Sequence, residues 1–168
     1  MLGFIQIGAV AITIIHIPVL IGGIFGGRRV SISLGLTFGL LSLFIAFIRP
    51  SGPIDLLFQN PLISVLPRIL FGWALYELYR FLTVLFKNNE YVSIPVAMVL
   101  ATLVHSGLVL TSLFVFGQST LSEFGITALL PFIWGVMLTN GFIEAALAGL
   151  IGGPIAKALL STRERDLM

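Results

Sequence analysis

Few residues in this sequence have the chemistry to hold a small polar molecule, and they sit where an apolar chain has little reason to place them. Arg68 follows Pro67 inside the stretch NPLISVLPRILFGWALYELYR, Asn60 to Arg80, and Gln59, Asn60 and Ser64 lie about a turn or more before it. A guanidinium is a planar fork of donors that matches a carboxylate or phosphate, and the amides and hydroxyl add neutral hydrogen-bonding groups. That set suits an anionic or amide-bearing small molecule. On the alternative reading, Arg68 snorkels to a membrane interface and pairs with lipid phosphate or with Asp55. Position alone leaves both open.

A second group is more scattered. His105 lies mid-stretch in LVHSGLVL, and Asn140 and Glu144 lie four residues apart on one helical face in LTNGFIEAAL. A buried histidine is either a hydrogen-bond partner between helices or a ligand contact. Trp134 and Phe132, beside Pro131, either wall a pocket or belong to an interfacial aromatic belt. Glu77 stands three residues before Arg80, a same-face spacing that reads as an anchoring pair. No catalytic or metal-binding constellation appears. The two histidines fall on separate stretches, HExxH and GxSxG are missing, and no glycine loop cradles a phosphate, so this chain needs no cofactor and does not itself hydrolyse ATP. An intramembrane enzyme built on Glu144 and His105 is the remaining catalytic alternative.

These residues must be positioned by a membrane fold. Hydrophobic residues make up 58% of the chain and charged ones 10%, with a mean hydropathy of +1.11, which places it among integral membrane proteins. A crossing helix takes roughly 20 apolar residues, so residues 1–168 form one transmembrane domain, an all-α polytopic bundle. The apolar stretches are residues 4–27, helical from Ile14 to Phe25; Val30 to Ile48, ending at RPSGP; Leu62 to Phe86; Tyr91 to Phe116; and Ile126 to Leu160. The last is long for one crossing, so its residues up to Pro131 read as a re-entrant entry. That gives five clear spans plus a short or truncated first one. The chain opens on MLGFIQIGAV as though at the end of a preceding helix, so either a sixth span lies outside this sequence or Leu2 to Thr13 folds as an abbreviated one.

Charge orients the bundle. Arg28 and Arg29 follow the first stretch, Arg80 and Lys87 the third, and Lys157, Arg163 and Arg165 the fifth, whereas Arg49 alone follows the second or fourth. Cytoplasmic loops carry the excess of Lys and Arg, so the C-terminus is expected in the cytoplasm and residues 49–61 and 117–126 outside. The absence of cysteine excludes disulfides, and a net charge of +2 is too small to argue for nucleic acid. Gly22 and Gly26, and Gly35 and Gly39, repeat the four-residue spacing that lets helix backbones approach. They serve internal packing or a smooth face for another membrane subunit.

In HIPVLIGGIFGG, GLTFGLLS, NPLISVLPRIL and NGFIEAALAGLIGGPIAKAL the sequence resembles the substrate-binding S component of energy-coupling factor vitamin transporters, over nearly its whole length. The resemblance implies a six-helix bundle in the bacterial plasma membrane that takes a water-soluble vitamin from outside. Its implied partners are a transmembrane coupling (T) subunit and two cytoplasmic ATPase subunits. The pattern is most similar to the pantothenate branch, with hydroxymethylpyrimidine or pyridoxine transporters next. For pantothenate, a carboxylate with an amide and two hydroxyls, Arg68 would be the counter-ion and Asn60, Gln59 and Asn140 amide partners.

Overall fold

The computed structural model describes residues 4–7, 10–13, 15–50, 53–118, 122, 131, 134–135 and 137–166. Four helical segments in it are long and apolar enough to cross a membrane: His16–Ile48, Pro61–Leu85, Glu90–Phe116 and Met137–Thr162. The first, α1, is folded back on itself. Gly27 sits at φ 81°, ψ −176°, a region open to glycine and strained for residues with a Cβ. A Cβ built on Gly23 would lie 2.6 Å from Ser31 Oγ, and one on Gly22 2.7 Å from Leu34 Cδ1. Residues 23 and 31 of a straight helix would stand about 12 Å apart along its axis. Residues 16–26 and 28–48 are therefore the two arms of a hairpin, and His16 and Phe38 both reach the ring of His105.

The short arm spans only about 16 Å at 1.5 Å per residue, half of a hydrocarbon core of about 30 Å. Before it, the abbreviated helix expected over Leu2 to Thr13 is replaced by two antiparallel strands, β1 (Phe4–Ile7) and β2 (Val10–Thr13), with Phe4 opposite Thr13. Isoleucine, valine and threonine are frequent here, and branching at Cβ favours extended backbone. Four helices of crossing length thus stand where five or six spans were expected.

Proline sets the remaining breaks. Short helices α2 (Pro53–Leu57) and α3 (Pro61–Ser64) precede α4 (Leu66–Leu85), and each of α2 and α3 opens on a proline, whose missing N–H is free of cost at a helix start. Asn60 caps α3, its Oδ1 accepting from Leu62 N at 2.9 Å. Helix α5 (Glu90–Phe116) stays continuous although Pro95 lies inside it. The last rod, here α6, joins a π-turn at Met137–Gly141, a helix at Phe142–Leu147, a second π-turn at Ala148–Gly152 and a helix at Gly153–Asp166. Pro154 cannot close a turn onto Leu150, and the wide turn falls just before it. The re-entrant entry expected before Pro131 falls on residues 126–130, outside the described residues.

The main core joins α1, α4, α5 and α6 through Leu20, Ile24, Phe71, Leu75, Ile94, Met98 and Ala148. A smaller cluster of Leu57, Ile63, Leu110 and Leu113 lies under α2 and α3. Around this core, Phe44, Phe47, Val84 and Leu150 point outward and are each at least 60% exposed. Such a surface belongs in lipid, where every helical backbone group is already paired.

Candidate functional site

The site begins with a proline. Pro67 has no N–H, so the carbonyl of Ile63, which a fourth-following amide would normally satisfy, is left without its helical donor. Arg68 fills that gap: its Nη1 donates to Ile63 O at 2.7 Å. This bond turns the side chain back into the bundle, where Arg68 is only 6% exposed. Snorkelling to lipid or pairing with Asp55 is therefore not what Arg68 does; it forms no ion pair among the described residues.

Two rings stand against the guanidinium, with the centroid of Phe58 5.0 Å and that of Phe38 5.7 Å from Cζ. Each cation–π contact contributes about 0.5–2 kcal/mol, less than the several kcal/mol needed to take a guanidinium out of water. Its Nε is buried with no hydrogen-bond partner. Phe38 also contacts His105 on α5, ring centroids 5.6 Å apart, and Phe71 and His16 complete the packing around that imidazole at 4.7 and 6.4 Å. Chemically, this is a buried guanidinium beside aromatic rings, a group able to pair with one anion.

The other expected contacts serve mainly as scaffold. Gln59 Nε2 donates to Ala46 O at 3.0 Å, tying the loop to the end of α1. Asn60 spends its Oδ1 on the cap of α3. The Ser64 hydroxyl lies against Phe58 O and Asn60 O, stapling the turn that carries Phe58. Asn140 lies on the first π-turn of α6, with Thr139 Oγ1 3.1 Å from its Oδ1. The neighbouring Gly141 packs on Ser106, next to His105 in sequence. Trp134 is 62% exposed; Phe132 lies outside the described residues.

The family described as "ECF transporter, substrate-specific component" matches residues 1–156. The chain belongs to this family. This S component is 32% identical over 168 residues to the pantothenic acid transporter PanT of Lactococcus lactis subsp. cremoris, covering 92% of this chain and 80% of that one. Over 75 residues it is 41% identical to the pantothenate transporter PanT of Leuconostoc mesenteroides, covering 42% of this chain and 37% of that one. The family and these relatives are transporter components, not enzymes.

The S component uses its glycines largely within itself. A Cβ on Gly35 would strike the carbonyl of Arg68, and one on Gly39 would come within 2.8 Å of Val65 Cα. Their face is occupied by α4, so neither is open to another subunit. Gly22 and Gly26 meet Leu34 and Val30 of the long arm, and Gly26 stays exposed. Glu77 does not take the Arg80 partner its spacing offers but pairs with Arg28 Nε at 3.0 Å, across the hairpin turn. Sequence reasoning missed Phe38 and Phe58, the rings that hold the guanidinium. Among 14 phenylalanines nothing singles them out, although Phe38 does lie between the two glycines that bring α1 onto α4.

Proposed function

We propose that this S component captures pantothenate, or a closely similar anionic vitamin, and that Arg68 is the seat of its carboxylate. The reading rests on one observation: a guanidinium inside the bundle whose Nε has no hydrogen-bond partner, and which has no acid paired to it, among the described residues. A buried cation of this kind is costly alone and strongly stabilised by an anion meeting its free edge. The names of the two PanT relatives support the same cargo. Hydroxymethylpyrimidine and pyridoxine carry no carboxylate and would leave the charge uncompensated. Asn140, beside the Gly141 that packs on Ser106, is the amide this reading assigns to the vitamin's polar groups.

In this reading residues 1–168 are one multi-pass transmembrane domain whose α1 hairpin counts as two of five membrane-inserted arms. The end bearing Arg28, Arg29, Arg80, Lys87 and Lys157 faces the cytoplasm together with the C-terminus, following the distribution of positive charge. The α2–α3 end, above Arg68, faces outside and admits the vitamin. ATP-driven release is the work of a T subunit and two ATPases. Gly26, and beside it Gly22, are the small residues left for contact with the T subunit. Those partners must favour a conformation that binds the vitamin less well, because a ligand held equally in both states shifts nothing.

Calorimetric titration of pantothenate into the purified protein in nanodiscs tests the reading. Arg68→Gln is expected to weaken binding about 100-fold or more, as truncating one partner of a buried charge pair does. Wild-type affinity in a correctly folded Arg68→Gln protein would contradict it.

A further inference from the structure

Arg68 Nε is not the only polar atom sealed in this part of the bundle without a hydrogen-bond partner among the described residues. His105 is 9% exposed, and its Nδ1 is buried with no hydrogen bond among the described residues. Histidines inside membrane bundles ordinarily bond across to another helix, and this one does not. It is held instead by the rings of Phe71, Phe38 and His16. Phe38 is also the ring under the guanidinium of Arg68. Helices α4 and α5 therefore each bring one unsatisfied polar atom to the same phenylalanine of α1.

The two atoms ask for different chemistry. Arg68 only donates and is charged, so it claims the carboxylate. A neutral imidazole nitrogen is a donor in one tautomer and an acceptor in the other, and a hydroxyl satisfies either because it both donates and accepts. An amide N–H would serve only one tautomer, and a second anion is not required where a single fixed cation is present. The Phe38 ring, close to both side chains, offers an apolar surface for the carbon skeleton joining the two groups.

Resting on the reading of Arg68 as the carboxylate seat, we propose that His105 is a specificity-determining contact of the same site. Its Nδ1 hydrogen-bonds a ligand hydroxyl, so the protein selects a hydroxylated carboxylate over one of equal size without the hydroxyl. Such discrimination is strong in a buried site because the wrong ligand leaves a polar group unpaired.

The test titrates two probes, pantothenate and its dideoxy analogue, which keeps the carboxylate and amide and lacks both hydroxyls. They are added to wild type, Arg68→Gln, His105→Leu and His105→Asn in nanodiscs. In His105→Leu, affinity for pantothenate is expected to fall about 10-fold or more, while affinity for the dideoxy analogue stays at its wild-type value. His105→Asn, which returns a polar atom near the position of Nδ1, should recover most of the loss. Equal losses for both probes in His105→Leu, or no loss for either, would overturn the inference. Arg68→Gln separates the two readings: if it abolishes binding of both probes while His105→Leu changes nothing, only the role of His105 fails. If Arg68→Gln binds normally, the carboxylate seat itself fails.

Discussion

Two cations lie inside this bundle, and the chain treats them in opposite ways. Lys157 of α6 reaches Glu90 of α5 at 2.5 Å and stands 5.2 Å from the ring centroid of Tyr91. Its charge is matched where the helices meet. Arg68 is more deeply buried and has aromatic faces and a carbonyl around it, but no paired acid among the described residues. Lys157 thus closes a structural contact between two helices, whereas Arg68 holds its side chain in place while leaving its charge open. Among the described residues an acid pairs with one of these cations and none with the other; on the reading proposed above, the second takes its anion from outside the chain.

The sharpest way to break this comparison is to neutralise each cation in turn. Lys157→Met should leave pantothenate affinity unchanged within about two-fold, well short of the loss expected for Arg68→Gln. A comparable loss in both would mean that the two charges act through the same general effect on folding. Stability should separate them with opposite signs. Lys157→Met strands a partly buried Glu90 carboxylate and is expected to cost about 1–3 kcal/mol. Arg68→Met removes an uncompensated buried charge, so unfolding without added ligand should be no easier than in wild type, and ligand should no longer protect. Thermal unfolding of both variants with and without pantothenate measures all of these. A large destabilisation by Arg68→Met would show that its bond to Ile63 matters more than its charge.

The backbone beneath the site sharpens the contrast further. Gly35→Ala would push a methyl against the Arg68 carbonyl and force α1 away from α4, an overpacking penalty of about 1–3 kcal/mol with a matching drop in affinity. Gly107→Ala, where a new Cβ meets nothing within 4 Å, is the control and should be neutral or slightly stabilising. The smallest effect is expected at the remaining ion pair. Arg28 is 54% and Glu77 34% exposed along the side chain, so Arg28→Gln should change stability by about 0–1 kcal/mol and binding not at all. Any strong effect on binding there would tie the hairpin turn to the site.

Much of this architecture was legible in the sequence because lipid imposes a coarse and strict rule. Long apolar runs located the helices, and the break between the stretches 4–27 and Val30 to Ile48, where Arg28 and Arg29 fall, is where Gly27 reverses the chain. The stretch Leu62 to Phe86 reads as one span, whereas in the fold Asn60 caps a short helix that opens on Pro61 and a fresh helix starts at Leu66, next to Pro67. What escaped was whatever depends on packing at a distance. Glu77 had a local partner in Arg80 by spacing and took Arg28 because the hairpin brings it closer. The second π-turn of α6 lies where Gly149, Gly152 and Gly153 pack against Pro95, Met98 and Val99 of α5. The strand pair replaces an expected helix because apolar composition alone does not distinguish the two, and branched side chains favoured extension. At the site, sequence named Arg68 and His105 but not their shared ring. Whether an arginine snorkels or turns inward is decided by the carbonyl that Pro67 frees, which is visible only once the chain is folded.

A structure of the protein determined with pantothenate bound tests the central claim most directly. The account predicts a carboxylate oxygen about 2.7–2.9 Å from Arg68 Nε, the ordinary length of a charge-assisted hydrogen bond, with Phe58 and Phe38 still flanking the guanidinium. A bound vitamin whose carboxylate lies elsewhere, leaving Arg68 Nε as unsatisfied as before, would contradict it.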